Sequence, residues 1–282
     1  MTIAISIKVH DGVVLAADSA ATVISTDQAG NATVLNVYNT ANKVFNLYKG
    51  LPIGGLTWGA GAIGTASIST LTKDLRRRFM GGDPAFADWA LDRTGYSLEA
   101  VASRTRQFLY EEHYEPTFAE VAQKPVLGFL VAGYSSGQDL AEEWTLQMDS
   151  TGCPAPMRVR ALEETGLTWS GEPEAVSRLV LGHGAGLPQV LTEIGVTADQ
   201  IQEVMRILHQ RLQVPFAAAP MPIQDVIDLA EFLVHSTIMF SRFAPGAPTV
   251  GGPIEIAAIT KHEGFKWVQR KYYYDLRLNP EG

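Results

Sequence analysis

The chain has 282 residues, of which 46% are hydrophobic and 18% charged, with a formal net charge of −8. This size and apolar content suit one large globular domain, and the acidic balance without a dense lysine and arginine stripe argues against nucleic acid as a partner. The apolar stretches are too short to cross a bilayer, the start is unlike a signal peptide, and Cys153 is the single cysteine. These features predict a cytoplasmic protein without a membrane partner.

The first half of the chain predicts strands followed by two helices. The predicted strands are 3–9, 13–18, 43–48 and 53–58, with a hairpin around residues 29–31 between the second and third. Residues 3–9 alternate apolar and polar side chains, which is the period of a half-buried strand. The period becomes helical from about Ile63, and Ser97 is a typical N-cap for a second helix that ends near Tyr114.

The second half repeats this order of strands and then helices. The predicted elements are strands 125–135, 141–150 and 167–171, helices at about 173–181, 187–194, 198–212 and 222–242, and a closing hairpin of strands 254–260 and 265–274. Blocks of helices between antiparallel strands favour stacked layers. We therefore predict an α+β fold with two antiparallel sheets flanked by helices.

Thr2 is a candidate nucleophile because it follows Met1 directly and leads at once into a strand. Removal of Met1, which a small second residue permits, would give Thr2 a free α-amine beside its hydroxyl. A hydroxyl needs a base to become a nucleophile at neutral pH. An α-amine has an ordinary pKa of about 7.7–8.0, which suits a general base.

The first hairpin decides whether Asp18 lies near Thr2. If residues 10–12 form a three-residue loop with Gly12 in the left-handed conformation, Asp18 faces Ala4 on the side of Thr2, about 7–8 Å from it between backbones. A two-residue turn at 11–12 would instead place Asp18 on the opposite face. At that distance a cation is needed between the carboxylate and the hydroxyl.

Lys43, which opens the third predicted strand, is the candidate for that cation. Paired with Asp18, its ammonium would lower the pKa of the Thr2 hydroxyl and orient it. The alternative is that Asp18 ends a strand in a turn and that Lys43 is a solvated strand start. These residues alone leave both interpretations open.

A glycine-rich turn separates the fourth predicted strand from the first helix. Gly59, Gly61 and Gly64 match the G-x-G-x-x-G dinucleotide fingerprint. That fingerprint also needs a parallel strand after the helix, with an acidic end, and residues 80–95 show no strand pattern. Such a turn can instead present backbone N–H groups to a developing oxyanion, or simply allow close strand–helix packing.

Three stretches of the chain resemble the proteasome β-subunit-type N-terminal-nucleophile (Ntn) hydrolase family, in its bacterial or archaeal, HslV-like or Anbu-like branch. They are "MTIAISIKVHDGVVLAADSAAT", "ANKVFNLY" and "GLTWGAGAIGTASISTLTKDL". The resemblance implies a four-layer αββα sandwich. It also implies a single domain over 1–282, with insertions near 25–40, 82–97 and 150–165.

The resemblance also implies roles for particular residues. The implied catalytic residues are Thr2 as nucleophile, Asp18, Lys43, Gly61 as oxyanion donor (Gly59 being the alternative) and Ser170 in "WSGEP"; the implied substrate-binding residues are Thr22, Phe45 and Ala60. Two departures stand out. The family's aspartate and serine before the last hairpin are missing from "RFAPGAPTVGG", and Ala20 replaces an arginine.

The resemblance implies a threonine-type endopeptidase that acts on peptides or unfolded proteins. A homo-oligomeric ring or spiral would enclose the nucleophile, with an ATP-dependent unfoldase as a partner. The six histidines lack metal-ligand spacing, and we expect no metal or cofactor. Two alternatives remain open: an Ntn-type amidase or transpeptidase with one small substrate, and a non-catalytic structural ring subunit.

Overall fold

The computed structural model describes residues 2–26 and 32–271. The elements of the first half are β1 (Ile3–Val9), β2 (Gly12–Ala17), β3 (Ala21–Thr26), β4 (Ala32–Tyr38), β5 (Val44–Asn46), β6 (Ile53–Gly59), β7 (Ala62–Ile63), β8 (Ala66–Ser67), α1 (Ile68–Phe79), a 3-10 helix (Pro84–Trp89), α2 (Leu98–Arg106), a π-helix (Gln107–Tyr114) and α3 (Glu115–Thr117). Those of the second half are β9 (Leu127–Gly133), β10 (Glu142–Met148), β11 (Met157–Arg158), β12 (Gly166–Gly171), α4 (Glu174–Leu181), α5 (Leu187–Glu193), α6 (Ala198–Leu212), α7 (Ile223–Phe243), β13 (Glu255–Thr260) and β14 (Gly264–Gln269).

Most strands belong to two five-stranded sheets. The strand order is β12-β1-β2-β13-β14 in the first sheet and β11-β10-β9-β6-β5 in the second. Every strand pair in the described residues is antiparallel, which confirms the predicted mixture of helices and antiparallel sheets. The parallel strand that a dinucleotide fingerprint needs is therefore not found there. Two further hairpins, β3–β4 and β7–β8, form separate two-stranded sheets.

Three apolar clusters hold the elements together. The first joins the second sheet to α1 and α2, through residues such as Phe129 and Leu75. The second joins the inner strands of the first sheet to α4 and α7, through residues such as Ile5 and Leu233. The third contains side chains of both sheets, including Leu15 of β2 and Leu130 of β9. Burial of apolar surface in such clusters is the main stabilising term of folding.

Some predicted boundaries agree with the structure and others do not: for example, the strand predicted at 43–48 covers only 44–46. Helix α6 spans 198–212 as predicted, and Ser97 caps α2 by accepting a hydrogen bond from the Ala100 N–H. The first helix, expected from about Ile63, begins only at Ile68 because the β7–β8 hairpin lies before it. The predicted hairpin tip at 29–31 and residues 272–274 of the last predicted strand lie outside the described residues.

The first hairpin has neither of the two registers considered from the sequence, a loop over 10–12 or a turn at 11–12. Val9 pairs with Gly12 and Ala4 pairs with Ala17, so that the turn contains only the two residues 10–11. Gly12 lies within β2, without a positive φ. A Cβ atom there would lie 2.5 Å from the carbonyl oxygen of Ile259 in the neighbouring strand β13. Gly12 is therefore needed for close strand packing rather than for a left-handed turn.

The segments near 25–40, 82–97 and 150–165 add little regular structure to the two sheets. In the described residues they carry most of the β3–β4 hairpin, the 3-10 helix and β11. Across residues 2–26 and 32–271, no helix combines the length and apolar character needed to cross a bilayer.

Candidate active site

Thr2 lies at the start of β1, where two neighbouring segments hold its backbone. Its side chain and backbone together are 5% exposed. The Thr2 carbonyl oxygen accepts a hydrogen bond of 2.7 Å from the Glu172 N–H. Gly171 has a φ of 96°, and a Cβ atom at this glycine would lie 1.8 Å from the Thr2 carbonyl oxygen. Only glycine allows β12 to approach the Thr2 backbone this closely.

Asp18 is fully buried directly after β2, and its carboxylate accepts four hydrogen bonds. Oδ1 accepts from the Ile3 N–H at 3.0 Å and from Lys43 Nζ at 2.6 Å. Oδ2 accepts from the N–H groups of Ala20 and Gly251, both at 3.0 Å. These donors satisfy both oxygens of the buried carboxylate, which would otherwise be costly to bury. Asp18 thus ties Lys43 to the strand end that carries Thr2.

Lys43 precedes β5 and is almost completely buried, with its side chain 7% exposed. Burial lowers the pKa of its ammonium below the ordinary value of 10.5, and the Asp18 carboxylate counteracts that shift. On its other side the backbone of Lys43 is bound to β6, because its carbonyl oxygen accepts a hydrogen bond of 3.0 Å from the Thr57 N–H. The solvated strand start that the sequence left open is therefore wrong for Lys43.

A cavity of about 140 Å³ brings most of the predicted residues together. Its lining includes Thr2, Lys43, Thr22, Ala60 and Gly61. The first two are the expected nucleophile and cation, and the other three are the expected substrate and oxyanion contacts. Sequence reasoning did not identify the hydroxyl side chains that complete this lining, namely Thr57, Ser67 and Ser69.

The glycine-rich turn forms one wall of the cavity, between β6 and β7. Gly59 has a φ of 82°, and a Cβ atom there would lie 2.3 Å from the Val126 carbonyl oxygen. The Ala60 N–H donates to that same oxygen at 2.8 Å. Gly61 has open space where a Cβ atom would lie, and its carbonyl oxygen accepts from the Ile68 N–H at 3.0 Å. The turn thus holds Gly61 at the cavity wall by contacts on both sides.

The structure places two predicted site residues away from the Thr2 cavity. Ser170 pairs with Ala4, not with Thr2, and lines a different cavity of about 280 Å³. Phe45 is 7% exposed and stacks on Phe129, with ring centroids 6.2 Å apart, inside the cluster beneath α1 and α2. Its role as a pocket wall is not supported by this position.

Two charged residues near the site were missed by sequence reasoning. Glu255, at the start of β13, and Lys271, after β14, form a buried ion pair of 3.4 Å. Glu255 Oε2 also accepts a hydrogen bond of 3.3 Å from the Lys43 N–H. A glutamate within the apolar run "IEIAAIT" was the one available signal, because a charge in a buried strand needs a partner.

This arrangement suits the activation of a hydroxyl group. A nearby ammonium favours the alkoxide form of a hydroxyl and so lowers its pKa. In residues 2–26 and 32–271, no group of three or more histidine, cysteine, aspartate or glutamate side chains could hold a metal ion. The residues that line the cavity supply hydroxyl groups and an ammonium group.

Comparison with known proteins gives a likeness of fold alone. No protein-family model and no curated protein sequence matches the chain. Among solved structures, Anbu (ancestral beta-subunit) from Yersinia bercovieri matches with 12% identity, over 96% of this chain and 89% of that chain, with a TM-score of 0.49. The Anbu (Gly-1) mutant from Hyphomicrobium sp. strain MC1 matches with 17% identity, over 96% and 86%, also with a TM-score of 0.49. At these identities and TM-scores, the likeness carries no argument about family membership or activity.

Proposed function

We propose that the protein is a threonine peptidase of the proteasome type that acts on peptides or unfolded proteins in the cytosol. Removal of Met1 exposes the α-amine of Thr2, which serves as the general base for the hydroxyl of the same residue. Lys43, paired with Asp18, lowers the pKa of that hydroxyl. The observation that carries the proposal is the 2.6 Å contact between these two buried side chains, beside a cavity that Thr2 lines.

The reaction proceeds through a covalent ester. The α-amine takes the hydroxyl proton as Thr2 Oγ attacks the peptide carbonyl carbon, and the Gly61 N–H stabilises the resulting oxyanion. The C–N bond then breaks, and the proton passes from the α-ammonium to the leaving amine. Water, deprotonated by the same α-amine, then attacks the ester carbonyl carbon. The C–Oγ bond breaks, the acid leaves and the α-ammonium returns its proton to Oγ, so that Thr2 is restored.

We assign supporting roles to the remaining site residues from their positions in the structure. Ser170 lies on β12, whose end packs against Thr2, and we assign it a role in supporting the strand end. Thr22 and Ala60 line the cavity and are assigned to substrate binding. The Gly251 N–H donates to Asp18, and we assign Gly251 a role in holding that carboxylate in place.

The proposal is tested by Thr2→Ala and Thr2→Ser variants, assayed with short fluorogenic peptides. We expect hydrolysis to disappear in Thr2→Ala and to persist at a reduced rate in Thr2→Ser, because serine keeps a hydroxyl and an α-amine. The intact mass of the wild-type protein should show loss of Met1 and one adduct per chain after treatment with a β-lactone or epoxyketone. Undiminished cleavage by Thr2→Ala would rule the mechanism out.

One alternative is an Ntn-type amidase that acts on a single small substrate, which is compatible with the missing aspartate and serine before the last hairpin. Such an enzyme would use the same nucleophile but would leave peptides and casein intact. A single small-molecule product, formed without turnover of these substrates, would distinguish it from a peptidase.

We also propose that the elements form four layers in the order helix, sheet, sheet, helix, within one domain over 1–282. The three apolar clusters support this order, because one joins the two sheets and the others each join a sheet to helices. The segments near 25–40, 82–97 and 150–165 are then insertions into that frame.

A homo-oligomeric ring or spiral would shield cellular proteins from an exposed nucleophile, with an ATP-dependent unfoldase delivering substrates. Apolar side chains on the outer face of α7 support an assembly, namely Phe232 at 49%, Phe240 at 40% and Phe243 at 74% exposure. Light scattering of the purified protein tests this proposal, and a monomeric mass at micromolar concentration would contradict it.

A further inference from the structure

A second buried ion pair lies beside Lys43. Lys271 Nζ is 3.4 Å from Glu255 Oε2, and their side chains are 5% and 2% exposed. Burying two more charges next to an existing ion pair costs free energy unless every partner is satisfied. The mechanism proposed above does not use this pair, so its presence calls for a physical reason.

The pair contacts both segments that carry the Asp18–Lys43 pair. Glu255 Oε2 accepts a hydrogen bond of 3.3 Å from the Lys43 N–H. Lys271 Nζ donates to Ser19 Oγ at 2.7 Å and to the Ala41 carbonyl oxygen. Ser19 directly follows Asp18, and Ala41 lies two residues before Lys43. One ammonium therefore joins the end of β2 to the segment that leads into β5.

We propose that Glu255 and Lys271 are positioning residues for Lys43, since they hold the backbone from which its ammonium reaches Asp18. This inference rests on the proposed function, in which that ammonium acts on the Thr2 hydroxyl. A catalytic cation must be held in place, because misplacement by about 1 Å can reduce a rate about a hundredfold.

The charges around Lys43 make the inference testable. Among the residues that the structure describes, the charged side chains of Asp18, Lys271 and Glu255 act on its ammonium. Asp18 and Glu255 raise the pKa of Lys43, whereas the positive charge of Lys271 lowers it. Loss of the Lys271 charge should therefore raise the pKa of Lys43, and loss of the Glu255 charge should lower it. These shifts show that both charges act on the Lys43 ammonium, and the change in kcat described below shows whether they also hold it in place.

The experiment compares Lys271→Met and Glu255→Gln with the wild-type protein. The ε-carbon of Lys43 is followed by NMR titration of protein with ¹³C-labelled lysine, and the signal is assigned by its loss in Lys43→Arg. We expect midpoints displaced in opposite directions, upwards in Lys271→Met and downwards in Glu255→Gln. The alkaline limb of peptide hydrolysis should move with them. Lys266→Met, an exposed lysine of β14, is the matched control and should leave both curves unchanged.

A double variant, Glu255→Gln with Lys271→Met, covers the case in which a single variant fails to fold. It leaves no unpaired buried charge, so we expect it to fold, with a Lys43 midpoint close to that of the wild type. Its kcat should fall about tenfold or more with little change in KM, because Lys43 has lost its backbone support.

The outcomes separate this inference from the proposed function. A double variant that folds and keeps the wild-type kcat would overturn the positioning role. If the wild-type protein hydrolyses no peptide while the Lys43 midpoints move as expected, the peptidase proposal fails. The effect of Glu255 and Lys271 on the titration midpoint of Lys43 would then still be supported.

Discussion

Replacing Asp18 by asparagine tests the centre of the site, because the substitution keeps the size of the side chain and removes its charge. The carboxylate accepts two hydrogen bonds at each oxygen, from Ile3 and Lys43 at Oδ1 and from Ala20 and Gly251 at Oδ2. Asparagine has only one acceptor oxygen. Its NH₂ group would therefore face two donors, and the Lys43 ammonium would lose its carboxylate.

The magnitude follows from burial, since Asp18 is 0% and the Lys43 side chain 7% exposed. Removing one partner of a buried ion pair typically costs about 3–5 kcal/mol, and each buried donor left unsatisfied costs about 1–3 kcal/mol. These contributions overlap, so we expect Asp18→Asn to lower the free energy of unfolding by about 3–5 kcal/mol. Domains of this kind have only about 5–15 kcal/mol in total.

Urea denaturation at pH 7 measures the loss, with Asp139→Asn as the matched control. Asp139 forms an exposed ion pair with Lys261, so its replacement should leave the midpoint unchanged. Adding Lys43→Met to Asp18→Asn should recover part of the loss, because the unpaired cation is removed. If Asp18→Asn unfolds at the wild-type midpoint, the buried pair does not stabilise the site and our reasoning about it is wrong.

Two further changes test the support of Thr2 and the burial of a tyrosine. Gly171→Ala would place a Cβ atom 1.8 Å from the Thr2 carbonyl oxygen, so we expect losses of both stability and peptide hydrolysis. Gly137→Ala is the control for backbone conformation alone, because Gly137 has a φ of 76° and open space where a Cβ atom would lie. Equal losses in the two variants would contradict the role of the contact with Thr2. Burial raises the pKa of Tyr134 to about 12 from 10.0. A group whose pKa is raised on folding loses its stabilising contribution as the pH rises through the folded value, so the wild type should lose about 2–3 kcal/mol more than Tyr134→Phe between pH 10 and 12. Parallel urea unfolding midpoints for those two proteins over this pH range would contradict the shift.

Elements with a long, regular pattern could be predicted from the sequence. Helix α6 has the predicted bounds 198–212, and β1 the predicted bounds 3–9. Their periodicity is a local property, so it does not depend on distant contacts. The start of α1 could not be predicted as well, because the short β7–β8 hairpin over 62–67 contains residues that also suit a helix. Tertiary contacts decide between the two.

The Asp18–Lys43 pair was predicted through a register that proved wrong. The expected loop placed Asp18 opposite Ala4, whereas the observed two-residue turn pairs Ala4 with Ala17. Asp18 still reaches the site because it lies past the last pair of β2, where its carboxylate can bind the Ile3 N–H as well as Lys43. The residue types were sufficient to suggest the pair, but the turn length could not be read from "VHDGV", in which Gly12 suits a turn or a crowded strand equally.

Glu255 lies close to the site only because strand β13 pairs with β2, which places Glu255 opposite Ala17 and thus one residue from Asp18. These strands are separated by most of the chain, and no local pattern specifies their pairing or its register. A sequence can show that a glutamate in an apolar strand needs a partner, but it cannot show which cation meets it. The cation comes from Lys271, beyond the end of the last strand, and its distance from Lys43 is set by the register of β13 and β14 together. A one-residue slip in either pairing would turn these side chains to the opposite face and leave both charges buried without a partner. The buried ion pair and the register of the sheet therefore depend on each other, and neither could be predicted without the other.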